Sequence, residues 1–248
     1  MEMLRVEGLS KNFEGLHVLQ ELSFTIKAGE KLAIIGPNGA GKTTLFNVIG
    51  GQLPASAGRI ELLGQEISRL PTHRRLHMGL ARSFQINSLF LHLTLIDNIL
   101  LALQGARRTH FRMFRPMDSR SDLFAEARSL LESTGLWEMR ADPVSSLSYG
   151  DQRLVEVAFG LASGPKLLML DEPTAGLSTA EAAAFADTIR GMLVDATLFF
   201  CAHDMDLVFN LADRIIVLCF GQIIAEGGPE EIQADPKVRE IYLGGAVS

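Results

Sequence analysis

The sequence predicts an α/β fold with an antiparallel β subdomain near its start and an inserted α-helical subdomain in its middle. First, the apolar strand pattern Lys31–Ile35 leads into a glycine-rich segment and then into helical spacing that stops at Gly50 and Gly51. Second, apolar runs at 166–170 and 197–202 flank an alanine-rich amphipathic helix at 179–194, which makes a βαβ unit. Third, residues 93–164 have helical spacing and no convincing strand.

The remaining strands follow from short, partly alternating runs separated by turn residues. Antiparallel strands are predicted at 4–9, 16–19, 22–26 and 59–63. Runs at 214–219 and 222–226 predict a closing hairpin, with Gly221 in its turn. We therefore expect a single domain, in which 1–92 and 165–248 form the α/β core with its β subdomain and 93–164 form the inserted helical subdomain.

Composition limits the class of protein. The 248 residues carry a net charge of −6, which argues against a nucleic-acid partner bound through bulk electrostatics. Cys201 and Cys219 lie in apolar runs, so we expect buried thiols and a reducing compartment. The start of the chain lacks the features of a signal peptide, and no apolar run approaches the roughly 18 residues of a membrane span. A role at a membrane would therefore need a partner.

The arginine-rich segment 105–120 allows two interpretations. Five arginines among two phenylalanines can indicate a surface for nucleic acid or lipid headgroups. A solvated insertion held down by its phenylalanines explains the same pattern. We favour the insertion, because the patch is short and the whole protein is acidic.

Residues 36–43 read GPNGAGKT, a complete G-x-x-x-x-G-K-[ST] phosphate loop. Such a loop directs backbone N–H groups at phosphate oxygens, and a following helix adds its positive N-terminus. Lys42 supplies a charge for the outer phosphates, and the Thr43 hydroxyl can ligate magnesium. Its place between a strand and a helix makes a chance match very improbable, so the chain is predicted to bind a nucleoside triphosphate. The predicted phosphate-binding residues are Gly36, Pro37, Asn38, Gly39, Ala40, Gly41, Lys42, Thr43 and Thr44.

Residues 148–152 predict a second phosphate-binding device. Ser148 can cap a helix, with Asp151 three residues on, as in a capping box. A well-made helix start explains this much, yet Gly150 costs stability in the first turn. A glycine-lined helix N-terminus with a free hydroxyl suits an approaching phosphate.

Further polar residues follow predicted strands. Asp171 and Glu172 end one buried strand, where ligands sit in parallel sheets, and His203 follows another. Asp171 can hold magnesium and Glu172 can polarise water, although a helix cap or a structural histidine is the plainer interpretation of each residue alone. Gln85 could reach the metal or the water, but spacing alone does not single it out.

These segments resemble the ATP-binding cassette (ABC) family in order and approximate separation, over nearly the whole chain. The matching parts are the loop 36–43, Gln85, the signature segment 147–152, the pair Asp171 and Glu172, and His203. The resemblance implies an ABC-type P-loop NTPase core and head-to-tail pairing of two cassettes, with each ATP between the phosphate loop of one and the signature segment of the other. A single chain is then expected to hold ATP but to hydrolyse it poorly.

The resemblance also implies roles for individual residues. Phe13 resembles the aromatic residue that stacks on adenine, and Val18 the apolar residue beside it. Thr43, Gln85 and Asp171 would organise Mg²⁺. Glu172 resembles the general base, and His203 and Lys42 the γ-phosphate contacts. Contacts to the opposite chain's ATP would come from Ser148, Gly150, Asp151 and Gln152.

Departures from the common pattern identify a branch. Tyr149 stands where glycine is commonest, and Ser178 stands where most cassettes have an aspartate that helps couple the two sites. With the loop 174–178, the insertion and the ending 235–244, these residues resemble the larger cassette of branched-chain amino-acid importers. Urea-import and lipopolysaccharide-export cassettes are close alternatives. A non-transport ABC ATPase is disfavoured because the chain carries one cassette and no coiled coil, and a kinase because it needs no signature segment.

The expected cofactors are ATP and Mg²⁺. The expected partners are two transmembrane permease subunits, a second cassette that is identical or different, and a substrate-binding protein that acts through the permease. The surface near Gln85, including residues 87–92, would receive a permease helix. The chain would then lie peripherally on the cytoplasmic face of the inner membrane.

Overall fold

The computed structural model describes residues 1–82, 89–106, 118–194 and 196–243, and their side chains except those of 118–121 and 241–243. The strands in this part are β1 (Glu2–Phe13), β2 (Leu16–Lys27), β3 (Lys31–Ile35), β4 (Ala57–Leu62), β5 (Gln65–Glu66), β6 (Leu80–Arg82), β7 (Leu167–Asp171), β8 (Thr197–Cys201), β9 (Arg214–Cys219) and β10 (Gln222–Gly227). The helices are α1 (Lys42–Gly50), α2 (Thr72–His77), α3 (Leu95–Ala106), α4 (Asp118–Ser133), α5 (Tyr149–Ala162), α6 (Thr179–Met192), α7 (Met205–Leu211), α8 (Pro229–Ala234) and α9 (Pro236–Leu243). Short 3₁₀ helices occur at Trp137–Met139 and Val144–Ser146.

Two sheets organise these elements. The first is antiparallel, in the order β2-β1-β4-β5. The second has the order β10-β9-β3-β8-β7-β6, in which β6, β7, β8, β3 and β9 run parallel and β10 closes the edge as an antiparallel hairpin. The carboxyl ends of the parallel strands share one edge, which is where ligands bind in such sheets.

The parallel strands read as continuous apolar runs because both of their faces are covered. Alternate residues of β8 enter different cores: Leu198 and Phe200 join a core with α3, α5 and α6, while Phe199 and Cys201 join one with α1 and the antiparallel sheet. The ring of Phe199 stacks on Phe46 of α1 at 4.6 Å between centroids. This contact fixes the helix that follows the phosphate loop against the sheet.

The predicted fold class is confirmed, and so are the predicted strands and the closing hairpin. The two segments predicted at 16–19 and 22–26 form the single strand β2, because Glu21 adopts a left-handed conformation (φ 50°) without ending the pairing with β1. Both cysteines are buried free thiols, as expected. Prediction missed β5, β6, α2, α7, α8 and α9, which are short or lie beside loops.

None of the helices in the described ranges is both long enough and apolar enough to cross a bilayer.

Candidate functional site

The phosphate loop lies between β3 and α1, packed against β2 and β9. A Cβ at Gly36 would lie 2.1 Å from the carbonyl oxygen of Leu218, and one at Gly41 would lie 2.9 Å from that of Val18. Gly41 also has a left-handed φ of 106°. Only glycine lets the loop approach its neighbours this closely. The sequence motif is therefore required by the packing as well as by the ligand.

The start of α1 is built to receive an anion. Its N-cap residue Gly41 has no side chain to cap the helix, and the first turn carries no acidic residue. The first amides of a helix have no partner within the helix, and they lie at the positive end of its dipole. These free donors, rather than any side chain, make the end of α1 suitable for phosphate.

Lys42 contributes the one buried ammonium of this loop. Its Nζ donates to the carbonyl oxygens of Gly36 at 2.6 Å and Pro37 at 3.1 Å. Burial lowers the pKa of Lys42, and the nearby Cys201, Glu172 and Asp171 oppose that effect by favouring the charged form. The carbonyls that hold the ammonium leave it at the phosphate-binding surface of the loop.

A cavity of about 240 Å³ opens over this loop. Besides the loop, it is lined by residues that are far apart in sequence: Val18 of β2, Glu172 after β7 and His203 after β8. Its lining is Val18, Asn38, Gly39, Ala40, Gly41, Lys42, Thr43, Thr44, Glu172 and His203.

Glu172 and His203 form a pair at the mouth of this cavity. The Nε2 of His203 lies 2.9 Å from the Oε1 of Glu172, and both side chains are partly exposed. Glu172 follows β7 in a left-handed conformation (φ 49°), and its amide donates to the carbonyl of Cys201 at 2.9 Å. Such a conformation costs free energy in a non-glycine residue, about 1 kcal/mol or more, so the fold must hold it in place. Both residues were expected at the carboxyl edge of the parallel sheet, and the structure places them in contact there.

Asp171 is buried behind this pair and is engaged by two donors. The Nη2 of Arg82 donates to its Oδ2 at 2.7 Å, and the thiol of Cys201 donates to its Oδ1 at 3.1 Å. Burial first, and then the Asp171 carboxylate, raise the pKa of the Cys201 thiol, so the thiol stays protonated as a donor. Each carboxylate oxygen can accept more than one hydrogen bond or ligand, so Asp171 still has acceptor capacity.

Sequence reasoning missed Arg82 and Cys201 as contacts of the site. Arg82 also donates to the Oδ1 of Asn47 at 2.7 Å and to Gln52, and thereby joins α1 to β7. The signal for Arg82 was its place three residues before Gln85, but β6 itself was not predicted. Gln85 lies outside the described residues.

A protein-family model described as ABC transporter matches residues 19–175, which is more than half of the sequence. The chain belongs to the ABC transporter family. A second model, described as branched-chain amino acid ATP-binding cassette transporter, matches residues 222–248.

Named relatives of this ABC chain align over almost its full length. A high-affinity branched-chain amino acid transport ATP-binding protein, BraF of Pseudomonas aeruginosa, is 36% identical, with 98% of each chain covered. LivG of Escherichia coli, which carries the same description, is 36% identical over 98% of each chain. A crystal structure of the ADP conformation of an ATP-binding cassette of an ABC transporter matches with a TM-score of 0.85 and 31% identity, covering 98% of this chain and 99% of that one.

Family membership establishes the chemistry of the phosphate loop. The chain is an ATP-binding, ATP-hydrolysing cassette, and such cassettes work with membrane permeases. In the described ranges, no cluster of three or more His, Cys, Asp or Glu side chains can hold a metal by itself.

The signature segment lies away from this chain's own phosphate cavity. Ser148 caps α5: its Oγ accepts from the amide of Asp151 at 3.2 Å and donates to the Asp151 carboxylate at 2.7 Å. Gln152 donates to the carbonyl of Leu147 at 3.1 Å. Neither Ser148, Gly150, Asp151 nor Gln152 is among the residues that line the cavity.

The predicted base-stacking residues lie at the end of the antiparallel sheet. Phe13 is 41% exposed, and the Nζ of Lys11 lies 4.8 Å from its ring centroid. Val18 lines the phosphate cavity, whereas Phe13 lies beyond it. The ring is free to meet a flat apolar group on its exposed part.

Proposed function

We propose that this chain is the ATP-hydrolysing subunit of a membrane importer for branched-chain amino acids, working at the cytoplasmic face of the membrane. One observation carries the proposal. A phosphate cavity with the Glu172–His203 pair at its mouth occurs in a chain whose relatives at 36% identity are branched-chain amino acid transport ATP-binding proteins. The match of residues 222–248 to the branched-chain family supports the same substrate class over urea import or lipopolysaccharide export.

The residues of the cavity divide the work of hydrolysis. The amides at the start of α1 and the Lys42 ammonium bind and orient the phosphates. Glu172 accepts a proton from the attacking water, and the His203 Nε2 holds that carboxylate at the cavity mouth and lies near the outer phosphate. The catalytic gain comes from positioning and charge stabilisation, as in other phosphoryl transfers.

The donor set also fits magnesium. The Thr43 hydroxyl and the Asp171 carboxylate would hold the ion, with Gln85 as the expected third contact, and these are the oxygen ligands that Mg²⁺ prefers. When bound, the ion neutralises phosphate charge. Arg82 and Cys201 keep the Asp171 carboxylate in its place at the end of β7.

A second cassette completes each site in this proposal. Ser148, Gly150, Asp151 and Gln152 lie at the start of α5, outside their own chain's cavity, so they are free to meet the ATP of a partner cassette. Residues 93–164 then act as the helical subdomain that presents them. The partner is either an identical or a different cassette, and the substrate-binding protein acts through the permease.

A groove of about 640 Å³ suits a helix of the permease. It runs between β6, the end of α2, the end of α3 and the end of α5. Leu76 and Leu101, on its rim, are 46% and 41% exposed. An apolar groove of this kind takes an amphipathic helix. Its lining includes Arg82, three residues before Gln85 in the sequence, and the surface near Gln85 is the predicted docking site.

The general base can be tested by Glu172→Gln, which preserves shape and removes the basic oxygen. The variant should bind ATP with the affinity of the original chain and lose most of its turnover in the assembled transporter. Glu230→Gln, an exposed substitution in α8, is the matched control and should hydrolyse normally. Unchanged hydrolysis by the Glu172 variant would remove that residue from this role.

The importer proposal has its own test. The tagged chain is purified from detergent-solubilised membranes and its partners are identified. Two permease subunits and a second cassette, together with ATP-dependent uptake of branched-chain amino acids in vesicles, would support the proposal. An export permease or the absence of any membrane partner would overturn it.

A further inference from the structure

We propose that Tyr149 is a positioning residue that fixes the start of α5 against the loop that follows Glu172 in the same chain. This loop, residues 173–178, is called the Glu172 loop below. The inference rests on the proposed function, because it requires the start of α5 to serve a partner's ATP. It assigns a task to a residue that differs from the commonest family pattern.

The contact is between an aromatic ring and a backbone. A Cβ placed on Gly176 would lie 3.1 Å from the Cε1 of Tyr149, 3.5 Å from its Oη and 3.6 Å from its Cζ. Gly176 also has a left-handed φ of 84°. The backbone conformation at 176 therefore favours glycine, and the tyrosine ring leaves little room beside it for a side chain.

A buried ion pair also contacts the tyrosine. The Nη2 of Arg153 donates to the Tyr149 hydroxyl at 2.8 Å, and the guanidinium lies 5.1 Å from the ring centroid. The Nη1 of Arg153 donates to Glu156 at 2.9 Å, and both side chains are more than nine-tenths buried. Two contacts from one guanidinium leave the ring little freedom to leave Gly176.

The Glu172 loop is short and internally hydrogen-bonded. The amide of Ala175 donates to the carbonyl of Glu172 at 3.0 Å, and that of Leu177 to Thr174 at 3.1 Å. Ser178 then caps α6 through a reciprocal capping box with Glu181. A displacement of Gly176 should therefore also displace Glu172, because hydrogen bonds within the loop connect the two positions.

The consequence is a link between two ATP sites. In each chain, Ser148 at the start of α5 faces the partner's ATP, while Glu172 serves the chain's own ATP. Because Tyr149 joins α5 to the Glu172 loop, the two groups move together when the partner's phosphate engages the helix. The Ser178 side chain caps α6. We therefore assign the coupling between the two ATP sites to the contact between the Tyr149 ring and Gly176.

The test compares Tyr149→Ala with Tyr149→Phe in the assembled transporter. Phenylalanine keeps the ring against Gly176 and loses only the hydroxyl contact, so it should retain kcat and the Hill coefficient for ATP. Alanine removes the ring and should lower kcat by roughly ten- to a hundredfold, since small misplacements of reacting groups cost this much. Its Hill coefficient should fall to 1, while the isolated chain should bind ATP with unchanged Kd because the ring lies outside the phosphate cavity.

Two further variants separate positioning from stability. Gly176→Ala should also lower kcat, and it should cost less in the Tyr149→Ala background than in the original chain, because only the strain of its left-handed backbone remains once the ring is gone. Phe124→Ala, an aromatic truncation on α4, is the control and should lower thermal stability at most. Unchanged kcat and Hill coefficient in Tyr149→Ala, additive losses in the double variant, or a Hill coefficient of 1 in the original protein would each overturn the proposal. None of these outcomes bears on Glu172 as general base, which the Glu172→Gln variant tests separately.

Discussion

Arg75 shows how one residue supports the phosphate site from a distance. Its guanidinium is buried and donates to four backbone carbonyls, those of Val48, Ile49, Leu70 and Ser68. Two of these carbonyls belong to the last turn of α1, where a cation complements the negative end of the helix. Burial lowers the pKa of Arg75 to about 10, so it remains charged at neutral pH.

Replacing Arg75 tests this support. Arg75→Met should lower the free energy of unfolding by about 3 kcal/mol, because it leaves buried carbonyls without donors. Arg75→Lys should recover only part of this loss, since an ammonium cannot span the four acceptors. Urea denaturation measures both, with Arg74→Met, an exposed neighbour, as the control. Equal losses at the two positions would contradict the assigned role.

At the scale of single residues, the sequence predicted the site residues that belong to motifs. It missed the residues that contact those site residues and fix their positions. Lys42, Glu172 and His203 were predicted to meet because strand ends and a glycine loop have fixed geometry. Arg82 and Cys201 were missed because they contact the site through packing between strands, which depends on strand order. No local pattern distinguishes Cys201 in its apolar run from any other buried residue.

Among elements, Arg214 ties the two sheets together. It lies on β9 and donates to the Oε1 of Glu30 at 2.6 Å, to Glu226 on β10 and to the carbonyl of Thr25 on β2. Burial raises the pKa of Glu30, but the hydrogen bonds from Arg214 and from the Lys27 amide lower it more, so it lies below its ordinary value. The carboxylate is therefore stabilised in its charged form by folding.

This cluster predicts a dependence of stability on pH. A carboxyl group with a lowered pKa contributes stability above its unfolded pKa of about 4.5 and loses it as the pH falls through the folded value. Glu30→Gln should therefore lower the free energy of unfolding by about 1 kcal/mol at pH 7, and the difference should shrink below pH 4.5.

Urea denaturation at several pH values measures this difference. Glu2→Gln, which breaks an exposed pair with Arg5, is the control and should change stability little at any pH. A Glu30→Gln deficit that persists undiminished in acid would show that packing, and not charge, holds the two sheets at this point.

Elements with strong periodicity were predicted well, and short ones were not. The strands β3, β7 and β8 are five-residue apolar runs with defined neighbours. In contrast, β6 has only three residues, and its strand conformation depends on parallel pairing with β7. The α2 helix is six residues long, which is too short for its hydrophobic periodicity to be recognised. Tertiary pairing decides such segments.

At the scale of the whole molecule, a chain of contacts links the proposed permease groove to the phosphate cavity. Arg82, at the end of β6, lines the 640 Å³ groove and forms an ion pair with Asp171. Asp171 directly precedes Glu172, which lines the phosphate cavity. A partner helix in the groove would therefore contact β6, the strand that precedes Gln85 in the sequence.

The groove can be tested without disturbing the ATP site. Leu101→Glu places a charge on its rim, and it should weaken association with the permease more than about tenfold, since burying a leucine contributes roughly 1.5–3 kcal/mol. Folding and ATP binding by the isolated chain should be unchanged, because Leu101 is 41% exposed and lies outside the phosphate cavity. Val194→Glu, at a 66% exposed apolar position outside the groove, is the matched control.

The measurement is co-purification from detergent together with substrate uptake in vesicles. If Leu101→Glu removes the permease and Val194→Glu retains it, the apolar rim is the docking surface, since both variants add the same charge to an exposed apolar site. If both retain the permease, the helix docks elsewhere. If both lose it, the added charge itself weakens association, and the groove has no special part in docking.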